Sequence, residues 1–325
     1  MPPSGQPARR TALIALDWGT TSARAYRLAA DGTIVGERSA PLGIQQVEGG
    51  AFAAALDALL GDWAGDPAPR IACGMIGSRQ GWVEAPYCAA PATLAALATA
   101  LARTPGGELS IVAGVSGVDA AGVPDAMRGE ETQILGAVGG GAGTAGASEL
   151  IVLPGTHSKW AAVGAGRIES FATFLTGELF AILKAHSILG RMMTTDAGDP
   201  ASAAFERGVH RGLAALPAGA GLLHDLFGVR SLALFHELLP AATADYLSGL
   251  LVGHEIREGR GWARAQGIAA DSVVLVGGAA LVERYRRAFA LAGVAAEAGP
   301  DDAAARGLWR IAQQAGLIPS TGRPE

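Results

Sequence analysis

The chain carries the stretch LIALDWGTTSAR at residues 13–24 and a second stretch of the same pattern, LIVLPGTHSKW, at residues 150–160. In each, an apolar run precedes Gly-Thr-x-Ser, and another strand-like run follows. A glycine-containing turn comes next, at residues 31–32 in the first copy and 164–166 in the second, before a third strand-like run. The sequence therefore predicts two copies of one strand–loop–strand–turn–strand unit.

The two Gly-Thr-x-Ser loops are suited to phosphate, because backbone N–H groups and hydroxyls can surround phosphoryl oxygens from two sides. The loops are not equivalent, since only the first has a carboxylate, Asp17, at the end of its strand. A carboxylate at that place can hold Mg²⁺, usually through water, or it can simply cap the turn. The second loop has Leu153 and Pro154 instead, and its Lys159 could contact phosphate or begin a solvated strand.

A third loop lies near the C-terminus, where VVLVGGAA occupies residues 273–280. A strand that ends in Gly-Gly before a helix lets a flat ligand approach the backbone, although Gly-Gly is also ordinary packing at such a junction. The loop is not Gly-x-Gly-x-x-Gly, and the chain has no Gly-x-x-x-x-Gly-Lys-Ser/Thr. The sequence therefore supports neither a dinucleotide site nor a Walker-type NTPase.

Composition limits the class of protein. The 325 residues suffice for two domains, and a chain that is half apolar and 17% charged is not disordered. The net charge of −5, without a basic block, argues against nucleic acid as a partner. Cys73 and Cys88 show no disulfide framework or metal spacing, which fits a reducing compartment. With no signal-peptide pattern and no run of about 18 apolar residues, we expect a cytoplasmic protein that makes no membrane contact.

Strands alternate with helices along the chain, which indicates an α/β layer architecture. We predict strands at 11–17, 22–29, 33–39, 70–75, 109–115 and 271–276. We predict helices at 52–63, 91–102, 127–138, 174–189, 201–214, 219–227, 241–258, 281–292 and 302–315. The glycine run at 139–143 predicts a flexible connection and marks the domain boundary.

In this order, the three loops resemble the first phosphate, second phosphate and adenosine loops of the acetate and sugar kinase/Hsp70/actin superfamily. Four longer strings are similar to the 2-dehydro-3-deoxygalactonokinase family: GMIGSRQGWVEAPY at 74–87, MRGEETQ at 127–133, LPGTHSKW at 153–160 and FLTGELF at 174–180. That family uses ATP to phosphorylate the terminal hydroxyl of 2-dehydro-3-deoxy-D-galactonate in galactonate catabolism. The resemblance thus implies a carbohydrate kinase with a small sugar-acid substrate.

The resemblance also implies a fold: two ribonuclease-H-like domains with an ATP cleft between them, as in actin-like ATPases and sugar kinases. It implies one domain at 11–145, joined by a C-terminal helix at 302–325, and another at 146–301. Residues 1–10 lie outside the match, and we expect them to be disordered. ATP and Mg²⁺ are the implied cofactors, with Asp17 on the metal. The residues implied to bind ATP are Gly19, Thr20, Thr21, Ser22, Gly155, Thr156, His157, Ser158, Lys159, Gly277, Gly278 and Ala279.

Phosphoryl transfer needs a group that takes the proton of the attacking hydroxyl. In the smaller members of the superfamily, this base is an aspartate just before the helix that precedes the second phosphate loop. Here that place holds Glu130 and Glu131 rather than Asn-Asp, and either could be the base. Both could instead stabilise a helix N-terminus. Asp125 is an alternative base, and Asp17 could serve either the base or the metal role.

The implied substrate has a carboxylate, which a planar guanidinium can bind through two hydrogen bonds. Arg79 and Arg128 are the candidates, and either could equally be a structural ion-pair partner. Ser78 and Gln80 belong to the same string as Arg79 and are expected to line the pocket. Glu178 is a candidate for binding the sugar hydroxyls.

Two alternatives stay open at this level. One keeps the fold but changes the substrate to another sugar or sugar acid, since no residue identifies the galacto or the gluco epimer by inspection. The other is an actin- or Hsp70-like nucleotide switch, although the chain has nothing resembling a peptide-binding domain or a filament insertion. Leu/Ala-rich faces on the C-terminal helices permit a homodimer without requiring one.

Overall fold

The computed structural model describes residues 10–138, 148–194, 202–214 and 221–320. Its contacts divide the chain into two compact units. Unit 1 comprises Met1–Gly143, Gly166–Ser170 and Asp302–Glu325, and unit 2 comprises Thr144–Ala165 and Phe171–Asp301. The expected disorder at residues 1–10 and the expected flexible connection at 139–143 concern residues that, Arg10 apart, lie outside the described ranges.

Strands are present in both units. In chain order they are β1 (Leu13–Trp18), β2 (Ala23–Leu28), β3 (Ile34–Ala40), β4 (Arg70–Cys73), β5 (Tyr87–Ala89), β6 (Ala92–Thr93), β7 (Ala102–Arg103), β8 (Ser110–Ile111), β9 (Gly114–Val118), β10 (Pro124–Met127), β11 (Glu149–Leu153), β12 (Ser158–Gly164), β13 (Arg167–Phe174), β14 (Ser272–Leu275) and β15 (Ala295–Ala298).

The helices alternate with these strands in unit 1 and cluster in unit 2. In chain order they are α1 (Phe52–Leu60), α2 (Leu94–Thr99), α3 (Glu130–Ala137), α4 (Thr176–His186), α5 (Ala203–Leu213), α6 (Leu222–Leu234), α7 (Pro240–Ala265), α8 (Ala279–Leu291) and α9 (Ala303–Gln314). Within the described ranges, no helix is both long and apolar enough to cross a membrane.

The main sheet of unit 1 has the strand order β3-β2-β1-β4-β8-β7. Its central strand, β1, pairs antiparallel with β2 and parallel with β4. The apolar run of β1 is almost wholly buried, as expected for a strand that is covered on both faces. In this register Asp17 lies opposite Cys73, so the ends of β1 and β4 bring their following loops to the same edge of the sheet. That edge is where open α/β sheets bind ligands.

The sheet of unit 2 repeats this arrangement around β11. That strand pairs antiparallel with β12 and parallel with β14, and the order of the six-stranded sheet is β15-β14-β11-β12-β13-β6. The predicted repeat is therefore confirmed: β1–β3 and β11–β13 are the same unit of three strands. Its core includes Trp160, which is fully buried and packs against Phe174 and Phe289, with ring centroids 6.1 and 5.6 Å away.

Most predicted elements are confirmed, but several are wrong in extent. The helix predicted at 91–102 is only α2, because the Thr93 hydroxyl accepts the Ala96 N–H at 3.1 Å and sets its start. The strand predicted at 109–115 is divided between β8 and β9. The helix predicted at 127–138 begins only at Glu130, because Met127 ends β10 and Gly129 has a left-handed φ of 109°. Helices α6 and α7 both extend beyond their predicted ends.

Candidate active site

Asp17 lies at the carboxyl end of β1, in contact with two neighbours. Cys73 Sγ is 3.9 Å from its Oδ1, and Gln133 Nε2 is 3.5 Å from its Oδ2. Burial raises the pKa of this carboxyl, and the Arg24 guanidinium partly offsets that effect. Both contacts are long for hydrogen bonds, and they use only part of the acceptor capacity of the carboxylate.

The donor set at Asp17 fits Mg²⁺ bound in the usual way, through one protein carboxylate with water and phosphate oxygens completing the shell. The described part of the chain contains no group of three or more His, Cys, Asp or Glu side chains that could hold a metal by themselves. A metal at Asp17 would therefore depend on a phosphate ligand. The Cys73 thiol is a poor ligand for so hard a cation.

The acidic pair opens α3. Glu130 Oε2 accepts the Arg128 N–H at 3.0 Å, and Glu131 Oε2 accepts the Gly129 N–H at 2.7 Å. The Thr132 hydroxyl lies 3.0 Å from Glu131 Oε1. Glu131 is fully buried, and burial, with the charge of Glu130 beside it, raises its pKa to about 8. At neutral pH Glu131 is therefore mostly protonated, and the two carboxyls are not equivalent.

Two glycines bring Asp17 and the acidic pair together. Gly74, which follows β4, has φ +94°, and a Cβ there would lie 2.7 Å from the Trp18 carbonyl oxygen. A Cβ on Gly129 would lie 3.1 Å from the Cα of Gly74. The end of β1, the end of β4 and the start of α3 thus meet at backbone contact. This explains why the charges of both Asp17 and Glu131 raise the pKa of the buried Cys73 thiol, in addition to burial itself.

Arg128 is a buried arginine whose hydrogen bonds are incomplete. Its Nη2 donates to the Ala85 carbonyl at 2.7 Å, and its guanidinium lies 4.3 Å above the Tyr87 ring. Its Nε and Nη1 are buried and have no hydrogen-bond partner among the described residues. The Ser78 hydroxyl is in the same state, and a Cβ on the adjacent Gly77 would lie 3.1 Å from Arg128 Nη1. Unpaired buried donors are costly, so this corner of unit 1 is suited to an anion.

Other predicted residues of unit 1 lie elsewhere. The Arg79 side chain is 88% exposed, and its Nε is 3.5 Å from Glu84 Oε1. Gln80 is also exposed. The structure therefore does not bury these two side chains with Ser78 and Arg128. Asp125 lies on β10, where its Oδ1 accepts the N–H of Ala126 at 2.7 Å.

The first phosphate loop is a tight turn between β1 and β2. The Gly19 N–H donates to the Ser22 carbonyl at 2.9 Å, and the Gly19 and Thr20 carbonyls accept the N–H groups of Ile44 and Gln45. Thr21 and Ser22 are exposed. The backbone of the loop is thus fixed by hydrogen bonds to residues 44 and 45, while the side chains of Thr21 and Ser22 face solvent.

In the second phosphate loop, Thr156 and His157 are exposed, whereas Ser158 and Lys159 are buried. The Ser158 hydroxyl donates to Glu255 Oε1 at 2.6 Å, and Lys159 Nζ donates to the Thr173 hydroxyl at 2.6 Å. Both side chains are therefore engaged inside unit 2. The exposed part of the loop comprises Thr156 and His157.

The structure brings Glu178, a sugar-binding candidate in the sequence, against the second phosphate loop. Its Oε2 is 2.5 Å from His157 Nε2, and its N–H donates to the Thr156 carbonyl at 2.9 Å. Gly177 permits this approach, since a Cβ there would lie 2.4 Å from the Gly155 carbonyl oxygen. The start of α4 and the phosphate loop thus form one structure.

A cavity of about 510 Å³ opens beside this loop, within the size range of small-molecule sites. Its walls are residues of the phosphate loop, α4, α7 and α8: Gly155, Thr156, Thr176, Gly177, Phe180, Lys184, Ala244, Asp245, Ser248, Leu251, Val252, Leu281, Arg284 and Tyr285. The third loop lies close to the second, since a Cβ on Gly277 would be 3.5 Å from the Pro154 carbonyl oxygen. Gly278 and Ala279 are exposed where α8 begins.

Sequence reasoning missed one residue at this site, Glu255 on α7. It is fully buried and accepts hydrogen bonds from Ser158, Trp160 and Tyr285. Its place in the sequence could have identified it. Glu255 lies in the mostly apolar stretch LLVGHEI at 250–256, and a charged residue that is buried in such a stretch has to be paired. Gln133, which contacts Asp17, was also missed.

Solved structures share this fold. A Sinorhizobium meliloti protein assigned as a 2-dehydro-3-deoxygalactonokinase superposes with a TM-score of 0.84 and 36% identity, covering 95% of this chain and all of that one. Component A of the Acidaminococcus fermentans (R)-2-hydroxyglutaryl-CoA dehydratase superposes with a TM-score of 0.52 at 15% identity, over 94% of this chain and 98% of that one, and so shows a common fold only. The predicted α/β fold, the two-domain fold of actin-like ATPases and sugar kinases, is confirmed.

Sequence relatives agree over most of the chain. A Rhizobium meliloti (strain 1021) protein assigned as a 2-dehydro-3-deoxygalactonokinase is 39% identical, covering 91% of this chain and 97% of that protein. The 2-dehydro-3-deoxygalactonokinase of Escherichia coli (strain K12) is 35% identical, covering 92% and 97%. The family model described as 2-keto-3-deoxy-galactonokinase matches residues 17–311. The chain therefore belongs to the 2-keto-3-deoxy-galactonokinase family.

Proposed function

We propose that this protein transfers the γ-phosphoryl group of ATP to the terminal hydroxyl of 2-dehydro-3-deoxy-D-galactonate, giving the 6-phosphate and ADP, in galactonate catabolism. Family membership and the names of relatives at 39% and 35% identity support this proposal. The structural observation that carries it is Arg128, a buried guanidinium with two unpaired nitrogens, close in the chain to an acidic pair. A neutral sugar offers no charge to that guanidinium, whereas a sugar acid does.

We assign the role of base to Glu130. A base has to come within about 2.6–3.2 Å of the hydroxyl that it deprotonates. Glu131 is buried, holds its proton at neutral pH and has both oxygens in contact with Gly129 and Thr132. Glu130 is only half-buried. A carboxyl that holds its proton cannot accept another one, so Glu130 is the member of the pair assigned as base.

Glu131 then serves as a positioning residue, because it holds the Gly129 N–H at the turn that carries Glu130. Arg128 and Ser78 bind the carboxylate and a neighbouring oxygen of the sugar acid, which satisfies their unpaired atoms. Unit 1 in this assignment supplies the acceptor site.

Unit 2 supplies the nucleotide site. The cavity beside the second phosphate loop accommodates the nucleoside, and the exposed groups of the loop contact the phosphates. Asp17, in unit 1, would hold Mg²⁺. A bound Mg²⁺ would neutralise charge on the phosphate oxygens.

The test is a coupled assay of ADP release with 2-dehydro-3-deoxy-D-galactonate as acceptor, run in parallel with its gluco epimer and with galactose. We expect turnover with the galacto acid and none with the neutral sugar. Binding of ATP without turnover of any sugar acid would refute the proposal. Faster turnover of the gluco epimer would identify that epimer as the substrate, and the proposed phosphoryl transfer would still hold.

The role of the base is tested by Glu130→Gln, with Asp125→Asn as the matched control. Loss of a general base costs about 10²- to 10⁴-fold in rate, so kcat should fall by that factor in the first variant and stay near wild type in the second. The KM values for both substrates should change little. A larger fall in kcat in Asp125→Asn than in Glu130→Gln would identify Asp125 as the base instead.

A further inference from the structure

Glu255 is a carboxylate buried directly behind the second phosphate loop. Its Oε1 accepts the Ser158 hydroxyl at 2.6 Å and the Trp160 indole N–H at 2.9 Å, and its Oε2 accepts the Tyr285 hydroxyl at 2.5 Å. A fourth donor is the Thr176 hydroxyl. Burial raises the pKa of Glu255 and the four donors lower it, beginning with Ser158.

These donors come from three elements, while Glu255 itself lies on α7. Ser158, which ends the Gly-Thr-x-Ser motif, and Trp160 lie at the start of β12, Thr176 is the first residue of α4, and Tyr285 lies on α8. Thr176 and Tyr285 also line the cavity beside the loop. The carboxylate therefore joins the phosphate loop to two walls of the cavity, without lining the cavity itself.

Asp225 on α6 is another buried carboxylate of unit 2, and it provides a comparison because, unlike Asp245, it does not line the cavity. Its Oδ2 is 2.9 Å from His254 Nε2, and its Oδ1 accepts a hydrogen bond from Arg211 Nε at 2.7 Å. Neither of these partners lines the cavity. Both carboxylates join helices of the same unit, but only Glu255 bonds to residues of the cavity and the phosphate loop.

We propose that Glu255 is a positioning residue for ATP: it acts through Ser158, Thr176 and Tyr285 to hold the phosphate loop and the cavity walls in the arrangement that binds the nucleotide. The inference rests on the proposed function, since it takes this cavity as the nucleotide site. It adds a buried residue that does not itself touch the substrate. Without Glu255, the buried donors lose their shared acceptor and have to rearrange to find others.

The experiment measures the Kd of MgATP by titration calorimetry, together with thermal stability, in Glu255→Leu, Glu255→Gln and Asp225→Leu. We expect Glu255→Leu to raise the Kd by about tenfold or more, the loss expected for one hydrogen bond to a charged group. Glu255→Gln should keep most of the affinity, because its carbonyl oxygen still accepts and a hydroxyl that faces its NH₂ group can rotate to accept from it. Asp225→Leu should lower the thermal stability but keep the Kd of the wild type.

An unchanged Kd in Glu255→Leu, or an equal rise in Asp225→Leu, would overturn the inference in favour of a purely structural role. If Glu255→Leu does not fold, Tyr285→Phe tests the inference instead. This variant removes only one donor to Glu255 and should raise the Kd of MgATP by a few-fold; an unchanged Kd would overturn the inference. The KM for the sugar acid should stay constant throughout. Failure of the proposed function is distinguishable, since the wild type would then bind MgATP without phosphorylating a sugar acid.

Discussion

At the residue scale, burial distinguishes two arginines, Arg79 and Arg128, that the sequence could not distinguish. Both lie in segments that are similar to the kinase family, and from the sequence they are equal candidates for binding the substrate carboxylate. The structure gives Arg79 an exposed side chain near Glu84, whereas Arg128 is 8% exposed with two unpaired nitrogens. An exposed ion pair contributes little, while a buried unpaired donor gains a full hydrogen bond when a ligand arrives.

Arg128→Ala should therefore raise the KM for the sugar acid by about 30- to 150-fold, which corresponds to about 2–3 kcal/mol for hydrogen bonds to a charged group. The KM for ATP should not change. Arg79→Ala is the matched control and should stay near wild type in steady-state kinetics. Equal losses in the two variants would contradict a selective role for Arg128.

The buried carboxyl of Glu131 makes stability depend on pH. The folded protein keeps the proton up to about pH 8, whereas the unfolded chain releases it near the ordinary value of 4.5. Between these values the folded state binds more protons, so the free energy of unfolding falls as the pH rises. Glu131→Gln, which has no proton to lose, should make this decline shallower in urea unfolding measured across the window.

A suitable control for that experiment is Glu283→Gln. Glu283 is an exposed carboxylate whose pKa is lowered by the hydrogen bond from Arg286. Its removal should leave the slope between about pH 5 and pH 8 as in the wild type. A decline that is equally steep in Glu131→Gln would show that other groups, such as Asp17 or Glu255, cause it.

At the scale of elements, helix α7 packs against α5 through glycines. A Cβ on Gly249 would lie 2.0 Å from the Phe205 carbonyl oxygen, and one on Gly253 would lie 2.5 Å from that of Val209. Small residues at these positions let the two backbones touch. The same helix has a glycine without such a contact, Gly261, where a Cβ would have no atom of another element within 4 Å among the described residues.

The two glycines should respond in opposite directions to alanine. Gly249→Ala should lower the free energy of unfolding by about 1–3 kcal/mol, because the helices have to separate. Gly261→Ala should raise it by roughly 0.5–1 kcal/mol, because glycine costs that much in a helix. Urea midpoints at constant m-value give both changes. A tolerated Gly249→Ala would contradict the packing described for α5 and α7.

At the scale of the whole molecule, the candidate sites belong to different units. Arg128, Glu130 and Asp17 lie in unit 1, whereas the cavity and the second phosphate loop lie in unit 2. Each unit has its own buried core. The proposed function therefore assigns the two substrates to separate parts of the chain.

Hydrogen exchange should resolve that assignment, because binding slows the local opening of the segments that contact the ligand. The sugar acid alone should protect amides at 74–85 and 127–133, and a non-hydrolysable ATP analogue should protect those at 155–160 and 176–184. The reverse pattern, with the sugar acid protecting only unit 2, would contradict the assignment. A homodimer and a cytoplasmic location stay predictions of the sequence.

The sequence by itself determined the repeat, the order of the three loops and the family, because these depend on local patterns of apolar strands, glycines and hydroxyls. It also identified Glu130, Glu131 and Arg128 as candidates. Only the tertiary structure decided that Glu131 is buried with a raised pKa, that Ser158 faces inward and that Glu255 lies behind the second loop. Burial depends on neighbours far along the chain, such as Glu255, which lies 97 positions after its partner Ser158. A local pattern contains no information about such neighbours, so it could not separate these roles.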